Sequence, residues 1–349
     1  MTSEGFACCI PGTMTTFPQS QDFTLPGTDS LVLGLDIGGT KLAAAVVDGD
    51  GHVRSFVRTP TRPSRGWRPV MDDLVAAGHA AMQDAGVSAT DLSAVGVGCG
   101  GPLDTASGIV LSPPNLPGWD AVPVVAALEV EFGRPTYLEN DANAAAIATS
   151  MWGPWAGTQD LVYLTVSTGV GAGVLSGGRL LRGIGGNGAE VGHVVVCYGG
   201  RLCGCGQRGC LEAYVSGQSI ARRAREALGA GAESQLGELA WVTAADVCAA
   251  ARDGDAMAVR LWDETTGILG AAVASVLNLF EPRLVVLGGG VTQAGAMLID
   301  PVRTDSVAQA LSPAGRQADV VLTSFGDTIG VVGAAAVAAA RLAMAGVAR

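Results

Sequence analysis

The chain reads as an α/β protein of two related lobes facing each other across a cleft, and three observations lead there. Strands and helices alternate along most of the 349 residues. A strand, a glycine-bearing turn and a second strand occur around Gly38-Gly39-Thr40, and the same unit returns around Ser167-Thr168-Gly169. Such weak internal similarity is what a duplicated architecture leaves in a sequence. A third glycine run, Gly288-Gly289-Gly290, ends another short apolar segment. The length allows two domains of ordinary size, each with its own core.

Taken in order, residues 31–36 and 41–47 are apolar runs of strand length. The turn Asp48-Gly49-Asp50-Gly51 leads into residues 52–58, so the start is a hairpin meander. Residues 71–85 carry helical spacing, 93–99 return to strand and 122–132 to helix. A short strand at 136–138 precedes a helix beginning near Ala142. The pattern then restarts with strands at 161–166 and 172–175, and aligning Asp36 with Ser167 superposes the two units. Helices follow at 221–228, 244–252 and 256–280, then a buried strand at 283–287. The reading divides the chain into a disordered leader (1–30), an N-terminal lobe (31–140) completed by a C-terminal helix (333–349), and a C-terminal lobe (141–332), with the cleft near Asn140.

Composition excludes several function classes. A net charge of −11 and a pI near 4.7 argue against nucleic acid, which requires a basic face. Lys41 is the only lysine among 21 basic residues, so its position beside a glycine turn stands out. The apolar run 267–280 is too short to span a bilayer, and the Ala-rich C-terminus carries Arg341, as a packed helix would. Residues 1–30 hold neither Lys nor Arg and no continuous apolar stretch, unlike a signal peptide. Cysteines at metal-ligand spacing without a signal peptide point to the cytoplasm.

The densest chemistry lies in GHVVVCYGGRLCGCGQRGCLEAY. His193, Cys203, Cys205 and Cys210 are the soft and borderline donors Zn²⁺ prefers in a closed tetrahedral site. Cys197 is close enough to be an alternative ligand. Four protein ligands leave no open position, so the ion would be structural, and Glu190 and Glu212 on either side would be fixed by it as acceptors for hydroxyls. The glycine turns suit phosphate, because glycine lets the backbone approach an anion closely. A P-loop is excluded by the order Gly39-Thr40-Lys41, and by the strand that follows where a P-loop needs a helix. Asp141, between a strand and a helix, is a candidate general base; the plainer alternative is a helix N-cap. Trp67 and Trp119 read as packing residues.

These motifs carry a resemblance. Asp36-Ile37-Gly38-Gly39-Thr40-Lys41, Glu139-Asn140-Asp141-Ala142-Asn143, Glu190-Val191-Gly192-His193 and Cys203-Gly204-Cys205-Gly206 through Cys210-Leu211-Glu212 resemble the bacterial sugar kinases of the ROK (repressor, open reading frame, kinase) family, from about Leu31 to the C-terminus. The resemblance implies an actin-like ATPase (ribonuclease H-like) fold that closes on ATP and a sugar. It places Asp36, Gly38, Gly39, Thr40 and Lys41 on the first phosphate loop, with Mg²⁺ near Asp36. It puts Thr168, Gly169 and Gly171 on the second, and Gly288, Gly289 and Gly290 on an adenosine-contacting turn. Asp141 matches the catalytic base, and Asn115, Asn140, Glu190, His193 and Glu212 the sugar contacts. Ser167 and Gly100 depart from the family pattern.

The activity implied is ATP-dependent phosphorylation of a hexose 6-hydroxyl, with glucose favoured. N-acetylglucosamine or N-acetylmannosamine is the alternative, and polyphosphate a minor alternative donor. Sugar-responsive repressors of the same family are remote, since residues 1–30 are too few and too acidic for a DNA-binding domain. A homodimer or homotetramer is implied, with no nucleic-acid or membrane partner.

Overall fold

The computed structural model describes residues 30–347. The leader expected over 1–30 lies, except for its last residue, outside the described residues. The first half contributes β1 (Leu31–Ile37), β2 (Lys41–Val47), β3 (Val53–Pro60), α1 (Trp67–Asp84), β4 (Leu92–Cys99), the short β5 (Leu103–Asp104) and β6 (Ile109–Val110), α2 (Val124–Phe132), β7 (Thr136–Asn140) and α3 (Asp141–Met151). The second contributes β8 (Leu161–Val166), β9 (Val170–Ser176), β10 (Arg179–Leu180), α4 (Glu212–Val215), α5 (Gly217–Gly229), α6 (Ala244–Arg252), α7 (Ala256–Phe280), β11 (Leu284–Gly288), α8 (Ala296–Gln309), β12 (Asp319–Leu322) and α9 (Ile329–Val347).

Two five-stranded sheets have matching orders, β3-β2-β1-β4-β7 and β10-β9-β8-β11-β12. In each, an antiparallel meander joins two parallel strands. The duplication is therefore real, but its register differs from the expected one. Asp36 lies inside β1 and pairs with Ala43, whereas Ser167 lies past the last β8–β9 pair, Val166 with Val170. The residue that occupies Asp36's place in the second hairpin is Thr165. The sequence alignment failed because both turns are glycine-rich and differ in length.

Strands buried on both faces explain the near-continuous apolar runs. On β1, Leu33, Leu35 and Ile37 pack with α1 and α2 residues such as Leu74 and Leu128, while Val32 joins a separate cluster with Val331 and Ala335 of α9. A β-carbon on Gly34 or Gly96 would collide with the α9 backbone at Val331 or Ala334. Those glycines and the alanines of α9 let that helix lie directly on the first sheet. Gly326 to Met344 is the one stretch among the described helical residues long and apolar enough to cross a membrane, yet 56% of it is buried within the protein. It is a core helix.

The connections cross over. α3 leaves the first sheet and packs on β8, β9 and α9, and α9 leaves the second sheet and packs on β1 and β4. Gly173 admits the Ala142 backbone, and Gly333 admits that of Ala144 and Ala145. The two helices thus form the floor between the sheets. Their first residues, Asp141 and Ile329, open toward the cleft.

Some boundaries moved for local reasons. α5 begins at Gly217 rather than near 221, because Ser216 caps it by accepting from Ser219 N. β7 runs to Asn140 instead of stopping at 138, since Glu139 and Asn140 pair in register with Gly98 and Cys99.

Candidate active site

The first turn is held from beneath. Gly38 N donates to Lys41 O at 3.0 Å, and Thr61 donates its hydroxyl to Gly38 O (2.7 Å) and its N–H to Thr40 O (3.0 Å). Gly39 carries no side chain because a β-carbon there would lie 2.7 Å from Asn115 Cβ. That close approach brings Asn115 against the loop. Asp36 projects from β1 beneath the turn and faces the start of α9; a β-carbon on Gly330 would lie 2.5 Å from its Oδ2. Burial raises the Asp36 carboxyl to about 7, the nearby Asp141 carboxylate adds to the rise, and Lys41 opposes it.

Asn140, not Asp141, caps α3. Its Oδ1 accepts from Ala142 N (3.0 Å) and Asn143 N (3.2 Å). The capping alternative for Asp141 is thereby corrected: Asp141 is the first helical residue, and its carboxylate takes the adjacent Ala142 N–H, at 2.8 Å to Oδ1, and its own backbone N–H. Burial raises its pKa, with those N–H groups opposing. Beneath the pair, fully buried Glu139 accepts from Asn143 Nδ2 (3.0 Å) and from Arg182 Nε and NH2 (3.1 and 2.6 Å).

The second turn is braced differently. Ser167 O accepts from Gly217 N at the start of α5 (2.7 Å), and Val170 N donates to Glu212 Oε2 (2.9 Å). Gly169 leaves room for that carboxylate, since a β-carbon would lie 2.5 Å from Glu212 Oε2. The other Glu212 oxygen is 3.7 Å from Cys203 Sγ. Glu212 thus links the turn to the cysteine cluster.

In that cluster the donor atoms of His193, Cys203, Cys205 and Cys210 lie within 4.8 Å of one another. Cys203 Sγ is 3.7 Å from His193 Nδ1, and Cys205 Sγ is 3.7 Å from Cys210 Sγ. A tetrahedral Zn²⁺ with bonds of about 2.3 Å to sulfur would set two thiolates about 3.8 Å apart. The donor set and spacing therefore fit zinc. Cys197 stands outside this group, exposed on the surface. The loop is shaped by Cys203 N donating to Gln207 O (2.8 Å) and by bridges between Leu202 and Arg208 and between Val195 and Cys210.

Both turns, the start of α3 and the edge of the cysteine cluster line one cleft of about 640 Å³. Asp36, Thr40, Lys41, Asn115, Asn140 and Asp141 come from the first half; Thr168, Gly169, Gly171, Glu190, His193 and Glu212 come from the second. Burial raises the Glu190 pKa, while His193 opposes and Asp141 and Glu212 add to it. Those interactions show four ionisable groups gathered around one space. A second cavity of about 750 Å³ adjoins through Thr40, Ser167, Thr168 and Gly290, and runs between α5 and α6 past Trp241, Cys248 and Trp262.

The sequence profile of the ROK family matches residues 32–341. The chain belongs to the ROK family. A glucokinase of Thermotoga maritima is 35% identical over 315 residues, covering 89% of this chain and 98% of its own. An N-acetylmannosamine kinase of Shigella flexneri is 34% identical over 314 residues, covering 88% and 98%. A solved ROK glucokinase of Streptomyces griseus, in complex with glucose and AMPPNP, superposes with a TM-score of 0.78 at 35% identity, over 90% of this chain and 100% of its own. The fold is accordingly the actin-like ATPase fold of ROK sugar kinases.

In this ROK chain nearly every residue singled out from the sequence meets the same cleft. Gly288 and the fully buried Cys210 are the exceptions, the latter lying behind the cleft wall with the other cysteines. Gly288 differs from the two glycines after it. It ends β11 away from the cavity, and its missing side chain makes room for the Tyr163 ring; only Gly289 and Gly290 reach the cleft surface. Trp119 is buried as packing. The second cavity, with Gln218, Trp241 and Arg225, escaped the sequence reading because these residues share no motif. The roles of Glu139, Arg182 and Asn187 were also missed, although Glu139 heads the motif that contains Asn140 and Asp141.

Proposed function

We propose that the protein transfers the γ-phosphoryl group of ATP to the 6-hydroxyl of a hexose, with glucose as the preferred sugar. One observation carries the reading: Asp141 opens into the cleft relieved of capping by Asn140, and the same cleft is lined by two phosphate-type turns and a set of sugar-type acceptors. The Thermotoga and Streptomyces relatives support glucose.

The sugar lies against Asn115, Asn140, Glu190, His193 and Glu212, and the triphosphate between the turns at 38–41 and 167–169. Asn140 Oδ1 is occupied by the α3 amides, so its amide N–H is the group left for a sugar oxygen. The 6-hydroxyl oxygen attacks the γ-phosphorus as the bond from that phosphorus to the β–γ bridging oxygen breaks and ADP leaves. Asp141 takes the hydroxyl proton, and its burial strengthens it as a base. Lys41 and the turn amides spread the charge on the phosphates. Asp36 would hold Mg²⁺ through water, and the ion would supply further charge neutralisation. His193, Cys203, Cys205 and Cys210 would hold a structural Zn²⁺, which would fix Glu212 and the second turn; His193 Nε2 would remain for the sugar. The adenosine would occupy the cavity between α5 and α6.

A coupled ADP-release assay with ATP and Mg²⁺ across glucose, mannose, fructose, N-acetylglucosamine and N-acetylmannosamine tests this. Glucose should give the highest kcat/KM. A preference for N-acetylmannosamine would move the assignment to the second reading, which the Shigella relative favours. No sugar-dependent ADP release at all would overturn it.

A further inference from the structure

The segment from Arg182 to Glu190 belongs by sequence to the second lobe but is fastened to the first. Leu181 is its last tie to the second sheet, donating to Val174 O at 2.8 Å. The chain returns to that lobe at Ala189 and Val191, which pack on its core, and at Gly192, whose α-carbon packs against the Val170 backbone. In between it makes two attachments across the cleft. Arg182, its side chain 19% exposed, reaches Glu139 at the end of β7, which is 0% exposed, at 2.6 and 3.1 Å. Asn187 makes a two-way clasp with the β5 backbone, accepting from Leu103 N (2.9 Å) and donating to Leu103 O (3.0 Å).

From these contacts we infer that Arg182 and Asn187 are positioning residues, which set the sugar-contacting Glu190 in register with the first-lobe Asn140 and Asp141. The inference rests on the hexose-kinase reading of the cleft. Glu139, Asn140 and Asp141 are consecutive, so Arg182, through the Glu139 carboxylate, holds the strand end that carries Asn140 and leads into Asp141. Without the two clasps the stretch from Arg182 to Gly188, with four glycines among its residues, would hang between Leu181 and Ala189, which packs on the second-lobe core, free to take many conformations. The sugar would then meet Glu190 and Asp141 at variable separation. A misplacement of about 1 Å can cost on the order of 10²-fold in rate.

The buried ion pair complicates the obvious test. Arg182→Met alone leaves Glu139 as an uncompensated buried charge and can unfold the protein. The double variant Arg182→Met/Glu139→Gln removes both charges, and its fold should survive. The clasp variant Asn187→Ala sits on an exposed loop and removes no core group. Both should keep a thermal midpoint within a few degrees of the unaltered protein and a KM for ATP within twofold. Both should raise the sugar KM at least tenfold and weaken sugar binding measured by calorimetry to match. Arg182→Lys, retaining charge but not the paired donors, should fall between. If either folded variant binds sugar within twofold of the unaltered protein, the inference is wrong. If the unaltered protein phosphorylates no hexose, the reading of the cleft fails instead, and the two failures are distinguishable.

Discussion

The two hairpins that face each other across the cleft occupy the same place in matching sheets, yet they are built for different work. At the place where the first carries Asp36, under a turn followed by Lys41, the second carries Thr165, under a turn followed by Val170. Charge is concentrated on the first side, with Asp141 added at the start of α3. The second turn is uncharged, and its shape depends on an imported carboxylate, Glu212, that also reaches the cysteine cluster. On the proposed reading, a duplicated frame supplies two phosphate-type turns, the first half carries the reaction chemistry, and Glu190, His193 and Glu212 of the second join Asn115 and Asn140 in holding the sugar. On that reading, mutations of the first side's charged groups, Lys41 and Asp141, should fall on kcat, and those of Glu190 and Glu212 on sugar binding.

The largest effect tests the first half of that division. Asp141→Asn keeps shape while removing the proton acceptor, and Asn140 still caps α3. It should lower kcat by roughly 10²–10⁴-fold, the usual worth of a positioned base. Calorimetry should still show sugar binding. Retention of more than a tenth of wild-type turnover would erase the asymmetry between the hairpins.

Next in size is the cysteine cluster. Purified protein should contain about one Zn²⁺ per chain, and Cys205→Ser should lose it together with thermal stability and sugar affinity. Cys197→Ser should leave the metal content unchanged, because that thiol stands outside the donor group. A metal-free preparation with full activity would remove zinc from the account of the second half.

Smaller again is Glu212→Gln. The amide oxygen can still accept from Val170 N, so the turn should hold while the charged acceptor for sugar is lost. Losing a charged hydrogen bond costs about 1.5–3 kcal/mol, or roughly ten- to a hundredfold in affinity. Nucleotide affinity should change little. Glu212→Ala should weaken both ligands, because it also leaves the Val170 amide unpaired. Equal effects of the two substitutions on ATP would show that Glu212 does not brace the turn.

How far this was legible in the sequence follows the same line. Asp36, Lys41, Asp141 and the four zinc-type donors stand in short contiguous motifs, where spacing alone constrains chemistry. The alternation of strands and helices was visible because both sheets are covered on both faces and leave long apolar runs. What stayed hidden depends on distant partners. The Glu139–Arg182 pair joins residues 43 apart, and the Asn187–Leu103 clasp joins residues 84 apart. The repeat register was misread for a related reason, since turn length is set by hydrogen bonds and not by glycine content. The role of Asn140 as the cap in place of Asp141 turned on where β7 ends, and strand ends carry little sequence signal.

The smallest effect concerns Asp36 and pH, and it separates the charged hairpin from the uncharged one without any substrate. The Asp36 pKa is raised from 3.8 to about 7. Between those values the native state holds a proton that the unfolded chain has released, so this group favours folding at low pH and the advantage fades as pH rises through 7. Asp141, raised in the same direction, contributes with the same sign. In metal-free, nucleotide-free protein, Asp36→Asn should therefore melt close to wild type near pH 4, and the gap should widen from pH 5 to a few degrees in its favour at pH 8. Removing Asp36 also lowers repulsion on Asp141, which enlarges the gap at the alkaline end. Thr165→Val, at the matching place in the second hairpin, should show no such pH-dependent gap. Parallel melting curves for Asp36→Asn and wild type from pH 5 to 8 would mean that Asp36 is not held at a cost in the empty cleft.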